Sequence, residues 1–342
     1  MIGTNIPMQI ETISYRKRTV FDSMYRSNLT LWSMRIAFGL LAVLAIGSSA
    51  AIAYGAQKGK PVLSVFRANV GFVNSNTSNA KADNFDAVSP SSFPVPADYD
   101  GDGRMDFGTW DAATGKWQLQ RSGDGSKFTI IWGNNTKKRA SSEPNIAVPA
   151  DFDGDGKADI AVWRPAAGEW DILNSSKNFD HTKATVLRWG IIGDVPVQAD
   201  YDGDAKADIA VFRPSENRWY IIESKSGMIR TESFGIAGTD LLVPADYTGD
   251  GKADIAVYRK GTWIVLNSET GETEPFEFGF ADARPVPGDY DGDGETDFAV
   301  YHKGTWYVYE SSAPHLLSYT FGGETDIPLC STMAKESIAG IQ

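Results

Sequence analysis

The sequence predicts an all-β fold: a six-bladed β-propeller of four-stranded blades, closed by N- and C-terminal strands that share one blade and preceded by an N-terminal signal or anchor helix. Two observations carry the propeller. A segment recurs five times with its first aspartate at Asp98, Asp151, Asp200, Asp246 and Asp289, so successive copies lie 53, 49, 46 and 43 residues apart. Each unit is loaded with Gly, Asp, Pro, aromatic and β-branched residues, which excludes paired-helix repeats and leaves blades as the architecture with that period. A third observation, an incomplete unit at each end, supplies the closure.

The five segments are PADYDGDGRMDFGTW from Pro96, PADFDGDGKADIAVW from Pro149, QADYDGDAKADIAVF from Gln198, PADYTGDGKADIAVY from Pro244 and PGDYDGDGETDFAVY from Pro287. Each unit reads as four strands. Strand A is the short segment before the acidic loop, and strand B is the D-I-A-V-aromatic run after it. Strand C carries Trp117, Trp170, Trp219, Trp263 or Trp306, and strand D ends at Trp132-Gly133, Trp189-Gly190, Phe234-Gly235, Phe278-Gly279 or Phe321-Gly322. The last motif aspartate stands 11 residues before the strand C Trp in the first three units and 9 before it in the last two. A difference of two keeps every side chain on its own face of the sheet. The shorter turns, Lys260-Gly261 and Lys303-Gly304, suit tight hairpins.

The closing blade is assembled from both ends. Val62–Arg67 aligns with strand B, Gly71–Ser75 resembles strand C, and Phe85 is placed in strand D. Ile327-Pro328-Leu329 supplies strand A from the C-terminus. Closure removes blade edges that would otherwise recruit other chains, so a monomer is expected.

Residues 1–35 carry Arg16, Lys17, Arg18, Arg26 and Arg35 against Glu11 and Asp22. The apolar run Ile36–Ile46 and then Ala51-Ile52-Ala53 follow. Residues 1–53 read as a secretory signal peptide with a long basic n-region, or as an uncleaved membrane anchor, because apolar and small residues continue to Ala56. Residues 54–61 form a linker and residues 62–342 the propeller. The expected location is extracellular or at the cell surface, with the periplasm possible, and the membrane is a partner only through the N-terminal segment.

The chain has 342 residues and a net charge of −12. Without residues 1–53 there remain 27 basic against 42 acidic residues, a net charge of −15. Such an acidic surface repels phosphate backbones and argues against nucleic acid as a partner. One cysteine, Cys330, excludes an internal disulfide framework and multi-Cys metal sites.

The acidic loops explain the charge. The spacing D-x-D-G-D-G-x-x-D sets carboxylates at loop positions 1, 3, 5 and 9 and leaves position 7 to offer its backbone carbonyl. Hard oxygen donors on a flexible Gly-containing loop favour Ca²⁺ over Mg²⁺ and exclude zinc. The expected ligands are Asp98, Asp100, Asp102, Arg104 and Asp106 in the first loop, and Asp151, Asp153, Asp155, Lys157 and Asp159 in the second. In the third they are Asp200, Asp202, Asp204, Lys206 and Asp208, with Ala205 at a glycine position. The fourth has Asp246, Thr248, Asp250, Lys252 and Asp254, and the fifth Asp289, Asp291, Asp293, Glu295 and Asp297. Up to five Ca²⁺ are expected, the fourth loop being weakest because Thr248 replaces an aspartate. Residues 332–340 at the closing blade contain no aspartate and are expected to hold no ion. Aspartates that merely cap tight turns would account for one or two per loop, not nineteen in one register.

These loops, the D-I-A-V strands that follow them and aromatic–Gly pairs such as Phe234-Gly235 resemble the FG-GAP/VCBS repeats of calcium-loop propellers, including integrin α-chain heads. The resemblance covers about Val62 to Thr332. It implies a Ca²⁺-bearing propeller of the kind found in adhesins, receptor ectodomains, lectins and accessory domains of polysaccharide-degrading enzymes. No second domain is evident to which catalysis could be assigned.

On the face opposite the acidic loops, strand B ends at Arg67, Arg164, Arg213, Arg259 and His302, with Asp111 breaking the pattern. This near-symmetric cationic ring is a candidate dock for an acidic glycan. Asp194, Asp240, Asp282 and Asp326 on the same face offer the competing reading, structural ion pairs between neighbouring blades. The strand C tryptophans read as packing residues and Cys330 as a small buried apolar group. The expected function is a non-catalytic scaffold or adhesion module for protein or carbohydrate. The alternative is an extracellular carbohydrate-active enzyme of lyase or hydrolase type, against which no acid–base pair stands out beyond the loops.

Overall fold

The computed structural model describes residues 63–67, 71–74, 92–134, 144–313 and 315–330. Five consecutive four-stranded antiparallel sheets follow one another along the chain. After the end strands β1 (Ser64–Arg67) and β2 (Gly71–Asn74) comes blade one. It contains β3 (Ser92–Pro94), β4 (Phe107–Asp111), β5 (Lys116–Gln120) and β6 (Lys127–Ile131). Blade two is β7 (Ile146–Ala147), β8 (Ile160–Arg164), β9 (Glu169–Leu173) and β10 (Thr185–Arg188). Blade three is β11 (Val195–Pro196), β12 (Ile209–Arg213), β13 (Arg218–Ile222) and β14 (Ile229–Ser233). Blade four is β15 (Leu241–Leu242), β16 (Ile255–Arg259), β17 (Thr262–Leu266) and β18 (Thr273–Glu277). Blade five is β19 (Arg284–Pro285), β20 (Phe298–His302), β21 (Thr305–Tyr309) and β22 (Leu316–Thr320).

The expectation of six four-stranded blades is corrected. The propeller has five blades. The sheet made by the two ends has three strands in the order β2-β1-β23, where β23 is Ile327–Pro328. A blade needs a fourth, outer strand, and pairing at the ends stops at three; the segment around Phe85 expected to supply it lies outside the described residues. The helix expected within residues 1–53 also lies outside them. The described residues contain no α-helix, only short 3₁₀ turns at Ser175–Lys177 and His181–Lys183, and no helix long and apolar enough to cross a membrane.

Within this end sheet, β23 runs antiparallel to β1, with Val65 opposite Pro328 and Phe66 opposite Ile327. Leu329 N–H donates to the Ser64 carbonyl at 2.9 Å. Arg67 grips Asp326 with two bonds, Nε to Oδ1 at 2.8 Å and Nη2 to Oδ2 at 2.6 Å. One apolar cluster draws Leu63, Val65 and Leu329 of the end sheet together with Trp306 and Val308 of blade five and Met105 and Phe107 of blade one. Strands β1 and β23 are thus packed between the first and last blades.

Sequence periodicity explains the packing inside each blade. Trp117, Trp170, Trp219, Trp263 and Trp306 are all wholly buried. Each indole N–H donates to the carbonyl of the aromatic residue that ends strand D: Trp132, Trp189, Phe234, Phe278 and Phe321, at 3.0–3.2 Å. A buried indole needs such an acceptor, so the strand C Trp and the strand D aromatic form one unit. The glycine after the aromatic is required by the neighbouring blade. A Cβ on Gly133 would stand 2.2 Å from Val162 Cγ2, and one on Gly190 3.1 Å from Val211 Cγ1.

Truncation after Thr325 removes β23 and the partner of Arg67. We expect the product to melt at lower temperature and to self-associate through the exposed β1 edge. Light scattering coupled to size exclusion checks this, and a monomer of unchanged melting temperature contradicts it.

Candidate metal centres

Each acidic loop joins strand A to strand B, and an isolated bridge closes its base: Ala97–Asp106, Ala150–Asp159, Ala199–Asp208, Ala245–Asp254 and Gly288–Asp297. The carboxylate at position 1 organises the turn. Asp98 Oδ1 accepts from Gly101 N–H at 2.6 Å, and its Oδ2 accepts from Gly103 N–H at 2.8 Å. Asp151, Asp200, Asp246 and Asp289 accept the same two donors in their own loops. In the third loop the second donor is Ala205, held at φ 65°. That left-handed conformation costs a non-glycine residue about 1 kcal/mol.

Position 9 is the buried anchor. Asp106, Asp159, Asp208, Asp254 and Asp297 are wholly inaccessible. One oxygen accepts from the N–H of the aromatic residue at position 2, as in Tyr99 to Asp106 Oδ2 at 2.9 Å. The other accepts from a serine N–H on the C–D loop: Ser122, Ser175, Ser224, Ser268 or Ser311, at 2.6–2.7 Å. These serines are functional residues that reasoning on the acidic motif alone misses. Their signal is present, since a serine ends strand C at a constant register in every unit.

Four loops bring three carboxylates together with ligand atoms within 4.8 Å of one another: Asp98, Asp100 and Asp106; Asp151, Asp153 and Asp159; Asp200, Asp202 and Asp208; Asp289, Asp291 and Asp297. The fourth loop is not among them, because Thr248 stands where the others have the position 3 aspartate. Position 5 is not drawn into the group. Asp102, Asp155, Asp204, Asp250 and Asp293 accept from the N–H of Arg104, Lys157, Lys206, Lys252 and Glu295 at position 7, at 2.8–3.0 Å. The same serine whose N–H serves position 9 donates its hydroxyl to position 5, at 2.8–3.4 Å. Position 5 therefore holds the turn and ties the A–B loop to the C–D loop.

Electrostatics show the strain of gathering these groups. Burial pushes Asp106 and Asp208 up to about 6, and Asp159 and Asp297 up to about 7, against the stabilising N–H donors. Burial also raises Asp98, Asp151, Asp200, Asp246 and Asp289, with neighbouring loop carboxylates adding to the rise. Desolvation and like charge both disfavour the ionised form. The donor set fits a hard divalent cation on a separate ground. Asp153 Oδ1, Asp202 Oδ1 and Thr248 Oγ1, all at position 3, are buried from solvent and make no hydrogen bond. Buried oxygens are ordinarily satisfied, and a divalent cation held between the loop carboxylates would satisfy these. Residues at positions 1, 3 and 9 would hold it.

The opposite face differs from the expected cationic dock. Arg213 Nε and Nη2 bond Asp194 Oδ1 and Oδ2 at 2.9 and 3.1 Å, and Arg259 bonds Asp240 in the same way at 2.6 and 2.7 Å. Arg67 bonds Asp326, Arg164 Nε bonds Asp171 at 2.5 Å, and His302 Nε2 lies 3.0 Å from Asp282 Oδ1. All four arginines are ion-paired, and His302 lies against a carboxylate. The Arg213 and Arg259 pairs join the ends of strands A and B of one blade, rather than neighbouring blades. Asp194, Asp240 and Asp326 also accept the N–H of Ile191, Ile236 and Gly323, which folds the D–A loop over them. Asp111, which breaks the pattern, accepts from Ala113 N–H at 2.9 Å and shapes its own turn. This face also exposes three apolar side chains at equivalent places: Ile191, Ile236 and Phe280 follow the aromatic–Gly pair of blades two, three and four. A hollow of about 380 Å³ beside Ile191 is lined by Arg188, Trp189, Arg213 and Tyr220, whose ring lies 4.3 Å from the Arg213 guanidinium.

The FG-GAP-like repeat family model matches residues 98–162 and 200–257. No curated protein matches the chain in sequence. Among solved structures, a lectin of Agrocybe aegerita, described for its recognition of non-reducing terminal N-acetylglucosamine, is 18% identical with a TM-score of 0.51, and 77% of each chain is covered. TolB from Acinetobacter baumannii is 12% identical with a TM-score of 0.51, covering 78% of this chain and 66% of that one. At these identities the likeness is one of fold.

Two predictions follow from the geometry. In metal-free protein Asp159 and Asp297 keep protons between the ordinary value near 3.8 and about 7, where the unfolded chain has lost them. Stability then falls as pH rises through that window. Chelator-treated protein should melt at higher temperature at pH 5 than at pH 7.5; the reverse order contradicts the assignment. Arg213→Ala leaves Asp194 buried without its partner and should destabilise the chain by roughly 2 kcal/mol, read by urea unfolding.

Proposed function

Because this chain is an FG-GAP-like repeat protein, we propose that it is an exported, Ca²⁺-stabilised propeller that works as a non-catalytic binding scaffold for protein or carbohydrate. The observation that carries the reading is the recurrence of one carboxylate constellation in four loops, with a buried position 3 oxygen at Asp153, Asp202 and Thr248 that no donor among the described residues satisfies. Uncompensated, those groups repel one another and raise the cost of closing each loop. A divalent ion converts the repulsion into attraction at every A–B loop.

Division of labour between the faces supports the scaffold role. The loop face is committed to ions and to holding the blades. The other face has its arginines tied up in ion pairs and displays Ile191, Ile236 and Phe280 at equivalent places on three successive blades. Exposed apolar side chains in a repeated array are a contact surface rather than acid–base machinery. Sugar recognition, described for the Agrocybe aegerita lectin, enters as one class of ligand to test. Export rests on residues 1–53, and the acidic surface of the remainder agrees with an extracellular, calcium-rich setting.

Each ion held at a hundred times its Kd adds about 2.7 kcal/mol of stability. Removal of Ca²⁺ by chelation should therefore lower the melting temperature by about 10 °C or more, restored by Ca²⁺ and not by an equal concentration of Mg²⁺. Elemental analysis should find calcium in protein purified without chelator. A melt indifferent to chelation, with no bound divalent ion, defeats the metal reading, and a glycan array run with and without Ca²⁺ tests the ligand class.

A further inference from the structure

The acidic loops touch one another, because the residue at position 7 of the second, third, fourth and fifth loops lies on the loop of the preceding blade. Backbone bonds put it there. Ala158, Ala207, Ala253 and Thr296, at position 8, donate their N–H groups to the carbonyls of Asp98, Asp151, Asp200 and Asp246 in the blade before, at 2.6–2.7 Å. The side chain at position 7 then covers the first loop glycine of that blade. Cγ of Lys157, Lys206 and Lys252 comes within 3.0–3.1 Å of where a Cβ would stand on Gly101, Gly154 and Gly203. At Gly249 the covering residue is Glu295, with Cγ at 2.6 Å and Oε1 at 2.8 Å from that point.

The order of these covering residues is Lys, Lys, Lys, Glu, and the order of position 3 residues in the loops they cover is Asp, Asp, Asp, Thr. The loop that lacks a carboxylate of its own is the one covered by a carboxylate from its neighbour. Thr248 Oγ1 is buried and makes no hydrogen bond, so the fourth loop still presents an oxygen at position 3 without the charge. We propose that Glu295, from the loop of blade five, supplies the acidic charge missing from the fourth centre, which is thereby a cation site built by two blades. This inference rests on the cation reading of the loops. It changes one expectation, that the fourth loop is weakest: three aspartates covered by a glutamate carry more negative charge than four covered by a lysine. Glu295 acts here as a positioning charge at the rim of the site, while Asp246, Thr248 and Asp254 face the ion.

The test is calorimetric titration of the chelator-stripped full chain with Ca²⁺, the fourth step being identified by its loss in Asp246→Asn. To remove the effect of Glu295 on its own loop, the substitutions are read in an Asp289→Asn background. Glu295→Gln should weaken the fourth step roughly tenfold, and Glu295→Lys more. Adding Thr248→Asp to Glu295→Lys should recover most of the loss, which a merely structural role for Glu295 would not allow. Lys252→Glu, in the otherwise native chain, should tighten the third step, so that the proposal stays exposed even if the Asp289→Asn background folds poorly. If no loop takes up Ca²⁺, the cation reading itself fails. If the loops bind Ca²⁺ but the fourth step is unmoved by Glu295→Lys, or the third by Lys252→Glu, the loops are electrically separate and this proposal is overturned while the cation reading stands.

Discussion

One hydrogen bond, repeated from blade to blade, joins the acidic loops into a chain. The carbonyl of the first aspartate in a loop accepts the N–H of the residue at position 8 of the next loop, from Ala158 to Asp98 and onward to Thr296 and Asp246. The same aspartate uses its side chain to fold its own loop. Any force that opens a loop therefore pulls on the seam with the next blade. Such coupling lets a local gain, relief of carboxylate repulsion, act on the association of neighbouring sheets. Each repeat otherwise touches only its neighbours, and stability of such arrays is set by those nearest-neighbour terms.

The second seam lies on the other face and is apolar. A valine at the centre of strand B presses on the glycine that ends strand D in the preceding blade, as Val162 does on Gly133 and Val211 on Gly190. The indole of strand C fixes the aromatic residue before that glycine. Blades are thus joined by packing at one face and by polar contacts within acidic loops at the other. Packing carries no charge, whereas the loop seam gathers buried carboxylates. The wholly buried position 9 aspartates sit under the loops, where their desolvation is greatest.

Much of this was legible in the sequence, because the signals were periodic. The spacing of aspartates placed the loops, the constant distance to the strand C Trp placed the hairpins, and the aromatic–Gly pairs placed the ends of strand D. What was not legible came from contacts between elements. Alternation along the loop made positions 1, 3 and 5 look equivalent, yet Ser122 and its counterparts claim position 5 from across the C–D loop. The arginines read either as a cationic dock or as partners of Asp194 and Asp240 across neighbouring blades, and the pairing lies instead within one blade, across 19 residues of chain. Only the pairing of strand A with strand B brings them together. The incomplete end unit read as a full blade because β1 and β23 match blade strands in sequence. An outer strand, however, is defined by its neighbour, and among the described residues the end sheet has three strands.

The closure of the ring illustrates how uneven the repeats are in their duties. Between successive blades the loop seam and the packing seam work together. At the end sheet the polar element is Arg67 with Asp326, a bidentate pair whose carboxylate is almost fully buried. A buried carboxylate left without its guanidinium is strongly unfavourable, so this pair selects the register in which β23 meets β1. Arg213 with Asp194 and Arg259 with Asp240 do the same for strands A and B that are already close in the chain. An ion pair that merely tightens a blade in the middle of the ring thus becomes, at the ends, the device that chooses which strand completes it.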